Sequence, residues 1–457
     1  MATALSLKQL YENFTRFESH LEGFEIDGVP VWEAIRARIF AKSAMRADLF
    51  GVGHPFVPRS LKNIFRTGVN IAKSMTTHNS WRLPEADLLV LGHPRLVKDQ
   101  EGRFEDPYSE AYLRSIDLRS VFLEKPFRCR HYHPRVAGCK SWIDHALMKS
   151  RCKVHLKSDS LNKAKELETL FRNEMGMEFD LTHEIEDVLG TRTVMLPFFN
   201  KIIRRVKPRI AIVVVAYTSP FFIEACKQNQ IPVIEIQHGM FSRYHLGYDY
   251  SAITPQLYFP DHVWLWGRYW RDAANLPKRC QYKEVGWPLF EDHRENTQQS
   301  KEPDCLFISQ GSVGKKIAEE ALQLRRDRPE IKIYFKLHPS EYQTWQQEYP
   351  ELLKAGIQVL TAEDGGIYDW LAKIRYVVGG YSTVLAEAIG MGCRVGVLNV
   401  PGREYMERLV ERKAAYWIKD GWGEFFDGNE CQDTQVAMDV FQPFKYEYVE
   451  KLLQEMI

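Results

Sequence analysis

The sequence predicts an α/β protein with two doubly wound parallel sheets that face each other across a cleft. Short runs of apolar and β-branched residues alternate with helical segments over residues 86–236, and the pattern starts again over residues 305–398. Strand, helix, strand at this spacing is typical of βαβ units in a parallel sheet. A length of 457 residues suits two or three domains. Ligands of such sheets bind at the carboxyl ends of the strands, so the loops after the strands are the first place to look for a site.

The first sheet is predicted from four strands and three helices. The apolar runs predict strands over Asp87–Leu91, Ser120–Leu123, Arg209–Ala216 and Pro232–Ile236. Helical spacing of apolar residues predicts helices over Leu161–Asn173, His183–Arg205 and Phe221–Gln228. The Trp- and Pro-rich block 261–300 is interpreted as a linker to the next domain.

The second sheet is predicted in the same way. Strands are expected over Cys305–Ser309, Ile331–Leu337, Ile357–Leu360, Tyr376–Val378 and Arg394–Leu398. The intervening helices are expected over Lys315–Arg326, Ile367–Lys373 and Thr383–Met391. The resulting domains are a helical N-terminal extension (1–80), a first Rossmann-like domain (81–290), a second Rossmann-like domain (291–440) and a C-terminal helix (441–457).

Within the N-terminal extension, Leu61–Met75 predicts a basic amphipathic helix with apolar residues on one side. Two interpretations remain open for it. The apolar side either packs on the first domain or contacts a membrane surface, for which Lys62, Arg66 and Lys73 would supply attraction to anionic lipid.

Composition excludes several classes of protein. The 61 Lys and Arg balance 60 Asp and Glu, for a net charge of +1, which argues against binding nucleic acid by bulk electrostatics. No apolar run approaches the roughly 20 residues of a membrane-spanning helix, and the first residues lack the order of a signal peptide. The eight cysteines form no CxxC pair, which is typical of reduced thiols. We expect a cytoplasmic protein, with the inner face of a membrane as an alternative location, and no nucleic-acid partner.

Three loops at strand ends of the second domain predict a nucleotide site. The loop Ser309, Gln310, Gly311, Ser312 precedes a helix, and small residues there let backbone amides approach an anion. Lys336, His338 and Pro339 follow the next strand, where an imidazole can donate to a phosphate. Gly380, Ser382 and Thr383 begin a further helix as an N-cap or a phosphate cradle, and Glu387 lies one turn later, where it could accept from ribose hydroxyls. Each loop has an ordinary structural interpretation, but three at one sheet edge favour a nucleotide.

The first domain predicts a substrate side to the cleft. His238 follows a buried strand and, with a pKa near neutrality, would suit proton removal from an attacking hydroxyl. A hydrogen-bonded structural histidine is the equal alternative. Gln237 and Gly239 flank it, and Arg243 and His245 follow as candidates for an anionic substrate. His93 and Arg95 lie after the first strand as further substrate-binding candidates. No metal-ligand spacing such as HExxH or a Cys/His cluster occurs, so no metal and no resident cofactor are expected.

These motifs resemble the GT-B glycosyltransferases of bacterial capsule and lipopolysaccharide synthesis. The matching residues are Lys336-Leu337-His338-Pro339, Tyr381-Ser382-Thr383 with Glu387, and Gln237-His238-Gly239. Within that group the chain is similar to the branch with a His-Pro and a Ser-Thr motif, which includes sialyl-, Kdo- and glycerophosphotransferases. The resemblance extends over about residues 205–400.

The resemblance implies a metal-independent glycosyltransferase that moves a sugar from a cytidine-linked donor, such as CMP-Kdo or another CMP-nonulosonate, onto a polysaccharide or lipopolysaccharide acceptor. It also implies that His338 contacts the nucleotide, that Ser382 and Thr383 contact its phosphate, and that His238 is a candidate base. Three alternatives stay open: a CDP-polyol phosphotransferase, a nucleotide-sugar epimerase, and a non-catalytic nucleotide- or glycan-binding partner of a capsule assembly complex.

Overall fold

The computed structural model of the chain describes residues 5–49, 60–98, 102–132, 139–151, 154–294, 301–419, 421–427 and 434–457. The first part contains helices α1 (Leu7–Glu18), α2 (Val31–Arg46) and α3 (Leu61–Met75), strands β1 (Leu88–Leu91), β2 (Val97–Lys98) and β3 (Phe104–Glu105), α4 (Ser109–Leu113), β4 (Ser120–Glu124), β5 (Cys139–Trp142), α5 (Asp144–Lys149), α6 (Ser158–Met175), α7 (Leu181–Val206), β6 (Ile210–Val214), α8 (Pro220–Gln228), β7 (Val233–Ile236), β8 (His262–Leu265), β9 (Gln281–Glu284) and α9 (Pro288–Arg294).

The second part follows the same alternation. It contains β10 (Glu302–Ile308), α10 (Gly314–Asp327), β11 (Ile333–Lys336), α11 (Trp345–Glu348), α12 (Pro350–Lys354), β12 (Gln358–Leu360), α13 (Ile367–Lys373), β13 (Ile374–Gly379), α14 (Thr383–Gly390), β14 (Arg394–Val397), α15 (Glu407–Glu411), β15 (Tyr416–Trp417), α16 (Gly423–Asp427), α17 (Thr434–Val440) and α18 (Tyr446–Met456).

Two parallel sheets form the two domains. The first has the order β5-β4-β1-β6-β7-β8-β9 and the second β12-β11-β10-β13-β14-β15, and every neighbouring pair is parallel. In the first sheet β4 and β5 are added on one side of β1, and the chain then continues with β6 on the other side. In the second sheet β11 and β12 are added on one side of β10, and β13 follows on the other side. The predicted fold class of two doubly wound α/β domains is confirmed. A crevice at each reversal of strand order is where such sheets hold ligands.

The linker interpretation of residues 261–300 is wrong. β8, β9 and α9 lie in this block, and the two strands extend the first sheet to its edge. The sequence His262-Val-Trp-Leu265 pairs with β7, and Gln281-Tyr-Lys-Glu284 is the half-exposed edge strand. An edge strand buries only one face, so its polar residues resemble a loop in the sequence.

The N-terminal helices share their core with the first domain. Phe14, Phe17 and Trp32 are buried in one apolar cluster with residues of α6, α7 and β1. Arg36 and Glu18 form a buried ion pair, with Nη2 and Oε2 2.6 Å apart, and a guanidinium nitrogen of Arg36 also donates to the carbonyl of Leu246. Because both charges are paired and hydrogen-bonded, their burial is tolerated.

Helix α3 packs with its polar side toward the protein. Asn70 and Ser74 are buried, and Ser74 Oγ lies 3.0 Å from His145 Nδ1. The apolar side is exposed, with exposed fractions of 86% for Leu61, 73% for Phe65 and 58% for Ile64. The interpretation of this apolar side as a core contact is therefore wrong for the described residues, because the hydrogen-bonding residues make the contact instead. Among the described residues, no helix combines the length and hydrophobicity that a membrane crossing requires.

The end of the chain returns to the first domain. Tyr446 OH donates to the carbonyl of Ala111 at 3.2 Å, and the Trp270 indole donates to the carbonyl of Val440 at 2.8 Å. Where the chain crosses between the domains, aromatic rings stack in sequence, with centroid separations of 4.8 Å for Trp266–Trp287, 5.1 Å for Trp266–Phe441 and 4.2 Å for Phe290–Phe441. We call these four rings the aromatic stack.

Candidate active site

The three predicted loops of the second domain are neighbours. The loop 309–312 follows the central strand β10, and the His338 and Ser382 loops follow β11 and β13 on either side of it. Gln310 Oε1 accepts from the backbone amide of Tyr381 at 2.8 Å, and Ser312 Oγ lies 3.4 Å from Tyr381 OH. The loops after β10 and β13 are thus joined directly at the reversal of strand order.

Glu341, which the sequence analysis did not single out, joins the other pair of loops. Its buried carboxylate accepts from Ser309 Oγ at 2.8 Å, from Tyr349 OH at 2.5 Å and from the backbone amide of His338 at 2.7 Å. A Cβ at Gly314 would lie 2.4 Å from Glu341 Oε1, so only glycine fits at the start of α10. The signal for Glu341 was its position three residues after the histidine of the His-Pro motif.

The start of α14 faces the first domain. Ser382 is its N-cap and accepts from the amide of Val384 at 3.3 Å. Thr383 Oγ1 accepts from the backbone amide of Met240 at 3.4 Å and would lie 3.8 Å from a Cβ at Gly239. The His-Gly loop of one domain and the Ser-Thr loop of the other therefore meet across the cleft.

His238 lies on the first-domain side within a cage of aromatic rings. The imidazole is half-buried, and its centroid is 6.2 Å from those of His93, Tyr108 and Tyr217. Burial and the nearby His245 and His93 lower the pKa of His238 to about 3. The expected pKa near neutrality is wrong, because the desolvated imidazole is held neutral by its surroundings.

A carboxylate hidden inside the sheet supports that imidazole. His238 Nδ1 lies 3.3 Å from Tyr248 OH, and Tyr248 OH donates to Glu235 Oε1 at 2.7 Å. The hydroxyl proton of Tyr248 is donated to Glu235, so the tyrosine oxygen can only accept from His238. His238 then carries its ring proton on Nδ1, and Nε2 keeps its lone pair. Burial raises the pKa of Glu235 to about 7, although Ala216 N–H and Tyr248 donate to it. A charged residue inside the apolar strand Val233–Ile236 was the sequence signal for it.

The loop after β1 is held by a second buried carboxylate, Asp106. It accepts from the amide of His93 at 2.7 Å, from that of Tyr108 at 2.9 Å and from Ser109 Oγ at 2.5 Å. Burial raises the pKa of Asp106 to about 6. His93 thus lies in the cage beside His238, with its own pKa lowered by burial, Arg95 and Lys125.

Arg95 and Glu387 approach each other from opposite domains. Arg95 is exposed, and its positive charge acts on Glu387, whose pKa burial raises to about 7. Glu387 is buried and hydrogen-bonded to Tyr368. The carboxylate of Glu387 therefore belongs to the buried interior beside the cleft, and its predicted contact with a ribose stays a prediction.

Three predicted site residues have other partners. The ammonium of Lys336 donates hydrogen bonds to the carbonyl of Gly365, at 2.9 Å, and to that of Thr361. The buried side-chain amide of Gln237 donates to the carbonyl of Gly239 at 3.1 Å and accepts from the backbone amide of Trp266 at 2.9 Å. His245 Nδ1 accepts from the Gly247 amide at 3.2 Å, and burial lowers the pKa of His245 to about 4. Lys336 and Gln237 therefore position the backbone of their loops, and His245 packs behind His238.

Arg243 does not join the His238 cage. It is exposed and lines a separate groove with the carboxylates of Asp272, Glu404, Glu407 and Glu411. Acidic surroundings repel an anionic substrate, which makes the predicted role of Arg243 a poor fit.

His338 and Pro339 are exposed at the mouth of the second domain, and His338 Nδ1 lies 2.6 Å from Ser340 Oγ. Their nucleotide contact remains a prediction. Over the part of the chain that the structure describes, no three His, Cys, Asp or Glu side chains converge in a way that could hold a metal ion.

No protein-family model and no curated protein matches the chain. Solved structures match it at low identity. MurG of Acinetobacter baumannii is 12% identical with a TM-score of 0.42, covering 80% of this chain and 98% of its own. The UDP-GlcNAc 2-epimerase of Methanocaldococcus jannaschii is 11% identical with a TM-score of 0.45, covering 81% and 98%. The wall teichoic acid polymerase TagF is 9% identical with a TM-score of 0.40, covering 87% and 98%.

Proposed function

We propose that the protein is a glycosyltransferase that moves a sugar from a nucleotide donor to a hydroxyl acceptor in the cleft. The observation that carries this proposal is the contact between the amide of Met240 and Thr383 Oγ1 at 3.4 Å. It brings the neutral imidazole loop of one domain to the helix N-terminus of the other, so that a base and an anion-stabilising group flank the same space.

The first-domain side supplies the base. His238 Nε2 accepts the proton of the acceptor hydroxyl while the hydroxyl oxygen forms its bond to the anomeric carbon. The imidazolium that results donates from Nδ1 toward Tyr248, and the Glu235 carboxylate beyond it stabilises the positive charge. Glu235 and Tyr248 act through His238 and are positioning residues.

The second-domain side stabilises the leaving group. The bond between the anomeric carbon and the phosphate oxygen breaks, and its electron pair goes to the nucleotide phosphate. Backbone amides and the hydroxyls of Ser382 and Thr383 at the start of α14, with the loop 309–312, are the groups that would hold this charge. These donors support a mechanism that needs no metal ion.

The motifs support a cytidine-linked donor. His338 beside the 309–312 loop and the Ser382–Thr383 pair match the His-Pro and Ser-Thr motifs of enzymes that use CMP- or CDP-linked substrates. We therefore propose a CMP-linked nonulosonate such as Kdo as donor and a surface polysaccharide or lipopolysaccharide as acceptor.

A thermal-shift panel of CMP, CDP, UDP, GDP and dTDP tests the donor side. A ligand at 100 times its dissociation constant adds about 2.7 kcal/mol of stability, and we expect stabilisation by a cytidine nucleotide that Ser382→Ala removes. Stabilisation by none of the five would contradict the proposed function.

His238→Gln tests the base. We expect it to keep nucleotide binding and to lose 10²–10⁴-fold in turnover on an acceptor extract, the range of general-base contributions. The matched control is His155→Gln, an exposed histidine outside the cleft. Full turnover by His238→Gln would show that His238 is not the base.

The products distinguish the alternative functions. Phosphorus in the polymer product would identify polyol-phosphate transfer instead, and conversion of donor without an acceptor would identify an epimerase.

Helix α3 supports attachment to the inner face of a membrane. Its exposed apolar side carries Leu61, Ile64 and Phe65, and Lys62 and Lys73 are exposed beside it, which suits apolar insertion together with attraction to anionic lipid. We expect the protein to sediment with vesicles of anionic phospholipid and Phe65→Glu to release it. Leu353→Glu, a change at an exposed leucine of α12 with 54% exposure, is the control. Equal sedimentation of both variants would contradict the contact.

A further inference from the structure

Among the residues that the structure describes, Lys125 is a partly buried ammonium with no anionic partner. It follows β4 directly, and its Nζ reaches Ser219 Oγ at 2.8 Å. Ser219 follows β6, whereas β4 lies on the other side of β1. The lysine side chain therefore crosses above the end of β1, at the reversal of strand order where sheets of this kind bind ligands.

Among the described residues, no carboxylate pairs with Lys125. The neighbouring Glu124 is bonded to His131, with 2.6 Å between Oε1 and Nδ1, and Glu224 of α8 is bonded to Arg192. Asp106 is occupied by the amides that hold the His93 loop. Burial alone accounts for a pKa of Lys125 lowered to about 8. Removing a charge from water without a compensating partner is unfavourable, and a perturbed charge at such a place in a sheet is a candidate for a functional site.

The surroundings of Lys125 add positive potential. The N-terminus of the nine-residue helix α8 begins at Ser219 and Pro220, and its first turn has no acidic residue. The preceding Val215 has a φ of 64°, a left-handed conformation that is strained for a β-branched residue. Lys125 is also close enough to His93 to lower the pKa of its imidazole, and His93 lies beside His238.

We propose that Lys125, Ser219 and the start of α8 form a subsite for an anionic group, a phosphate or a carboxylate, on the acceptor. The assignment of this subsite to the acceptor rests on the proposed function, whereas the anion site itself is formed only by residues of the first domain. The anionic group would lie beside His238, so that the acceptor hydroxyl next to it reaches Nε2. The enzyme would then select acidic or phosphorylated glycans over neutral ones.

Chemical modification of lysines in the full chain, read by mass spectrometry, tests the subsite at the residue itself. The probes are methyl phosphate, methyl glucuronide, the neutral methyl glucoside and, separately, CMP. We expect at least one of the two anions to slow modification of Lys125 at least fivefold and the glucoside to leave it unchanged. The exposed Lys163 should react equally in every sample. The anion that protects distinguishes a phosphorylated from a carboxylated acceptor.

Calorimetry with the protective anion gives the affinity. In the presence of saturating cytidine nucleotide, Lys125→Met should weaken anion binding at least tenfold, Lys125→Arg should retain most of it, and Lys163→Met should have no effect.

Protection by neither anion, or equal protection by the glucoside, would overturn the subsite. Protection by the nucleotide alone would assign the lysine to the donor and overturn the acceptor role. Protection by an anion in a protein that binds no nucleotide would leave the subsite standing and remove the proposed glycosyltransferase.

Discussion

Replacing the buried Glu235 by glutamine should stabilise the protein at neutral and alkaline pH. A pKa of about 7 in place of the ordinary 4.5 makes the ionised side chain about 3 kcal/mol less favourable in the folded protein than in the unfolded chain, at about 1.4 kcal/mol per tenfold change in proton affinity. Glutamine has no charge, and its carbonyl oxygen can still accept from Tyr248 OH and the Ala216 amide. We therefore expect Glu235→Gln to gain up to about 3 kcal/mol at pH 8.

The gain should depend on pH in one direction. The folded protein holds the Glu235 proton between pH 4.5 and 7 while the unfolded chain has released it, so this group lowers the stability of the wild type as the pH rises through that interval. Urea unfolding followed by tryptophan fluorescence at pH 5, 6.5 and 8 measures the difference, with Glu166→Gln on the exposed face of α6 as control. A Glu235→Gln protein that is less stable at pH 8, or whose difference from wild type is the same at all three pH values, would refute the reasoning.

Three further predictions concern other parts of the chain. Gly380→Ala should weaken cytidine-nucleotide binding and lower stability by about 1–3 kcal/mol, because the new Cβ would lie 2.8 Å from Gln310 Oε1; thermal melts with and without nucleotide measure both effects, and an unchanged nucleotide shift would count against the contact. Glu18→Ala should lower the free energy of unfolding by about 3–5 kcal/mol, because it leaves Arg36 charged and buried; a urea curve that superimposes on the wild type would be the contrary result. The imidazole of His238 should show no titration between pH 5 and 8 in the free protein, because its pKa of about 3 keeps it neutral; a proton NMR resonance that titrates near pH 6.5 and is lost in His238→Gln would contradict this.

The sequence was most informative where strands are buried on both faces. Leu88–Leu91 and Ile210–Val214 are entirely buried, so their apolar runs have no other explanation and were predicted within two residues. The strands Cys139–Trp142 and Gln281–Glu284 were missed because they are edge strands with exposed polar residues. Local periodicity cannot show that a polar segment pairs with a strand distant in sequence.

The candidate site was predicted in its loops but not in its electrostatics. His238 and Thr383 could be placed because each follows a recognisable strand. The lowered pKa of His238 could not, since it arises from His93, His245 and burial, which only the folded chain brings together. Likewise the pattern of α3 predicted an apolar side but not that this side would face away from the protein.

The aromatic stack fixes the far end of the helix that carries Ser382 and Thr383. Helix α14 carries Ser382 and Thr383 at its start, and at its end a Cβ at Gly390 would lie 2.7 Å from the rings of Phe290 and Phe441. Eight residues at 1.5 Å each make this helix a rod about 12 Å long, anchored on the stack. The rod is also held along its length, because Leu385, Ala386 and Ile389 are fully buried in its own domain. A substitution in the aromatic stack would therefore be felt at Thr383, about 12 Å away, through the helix that joins them.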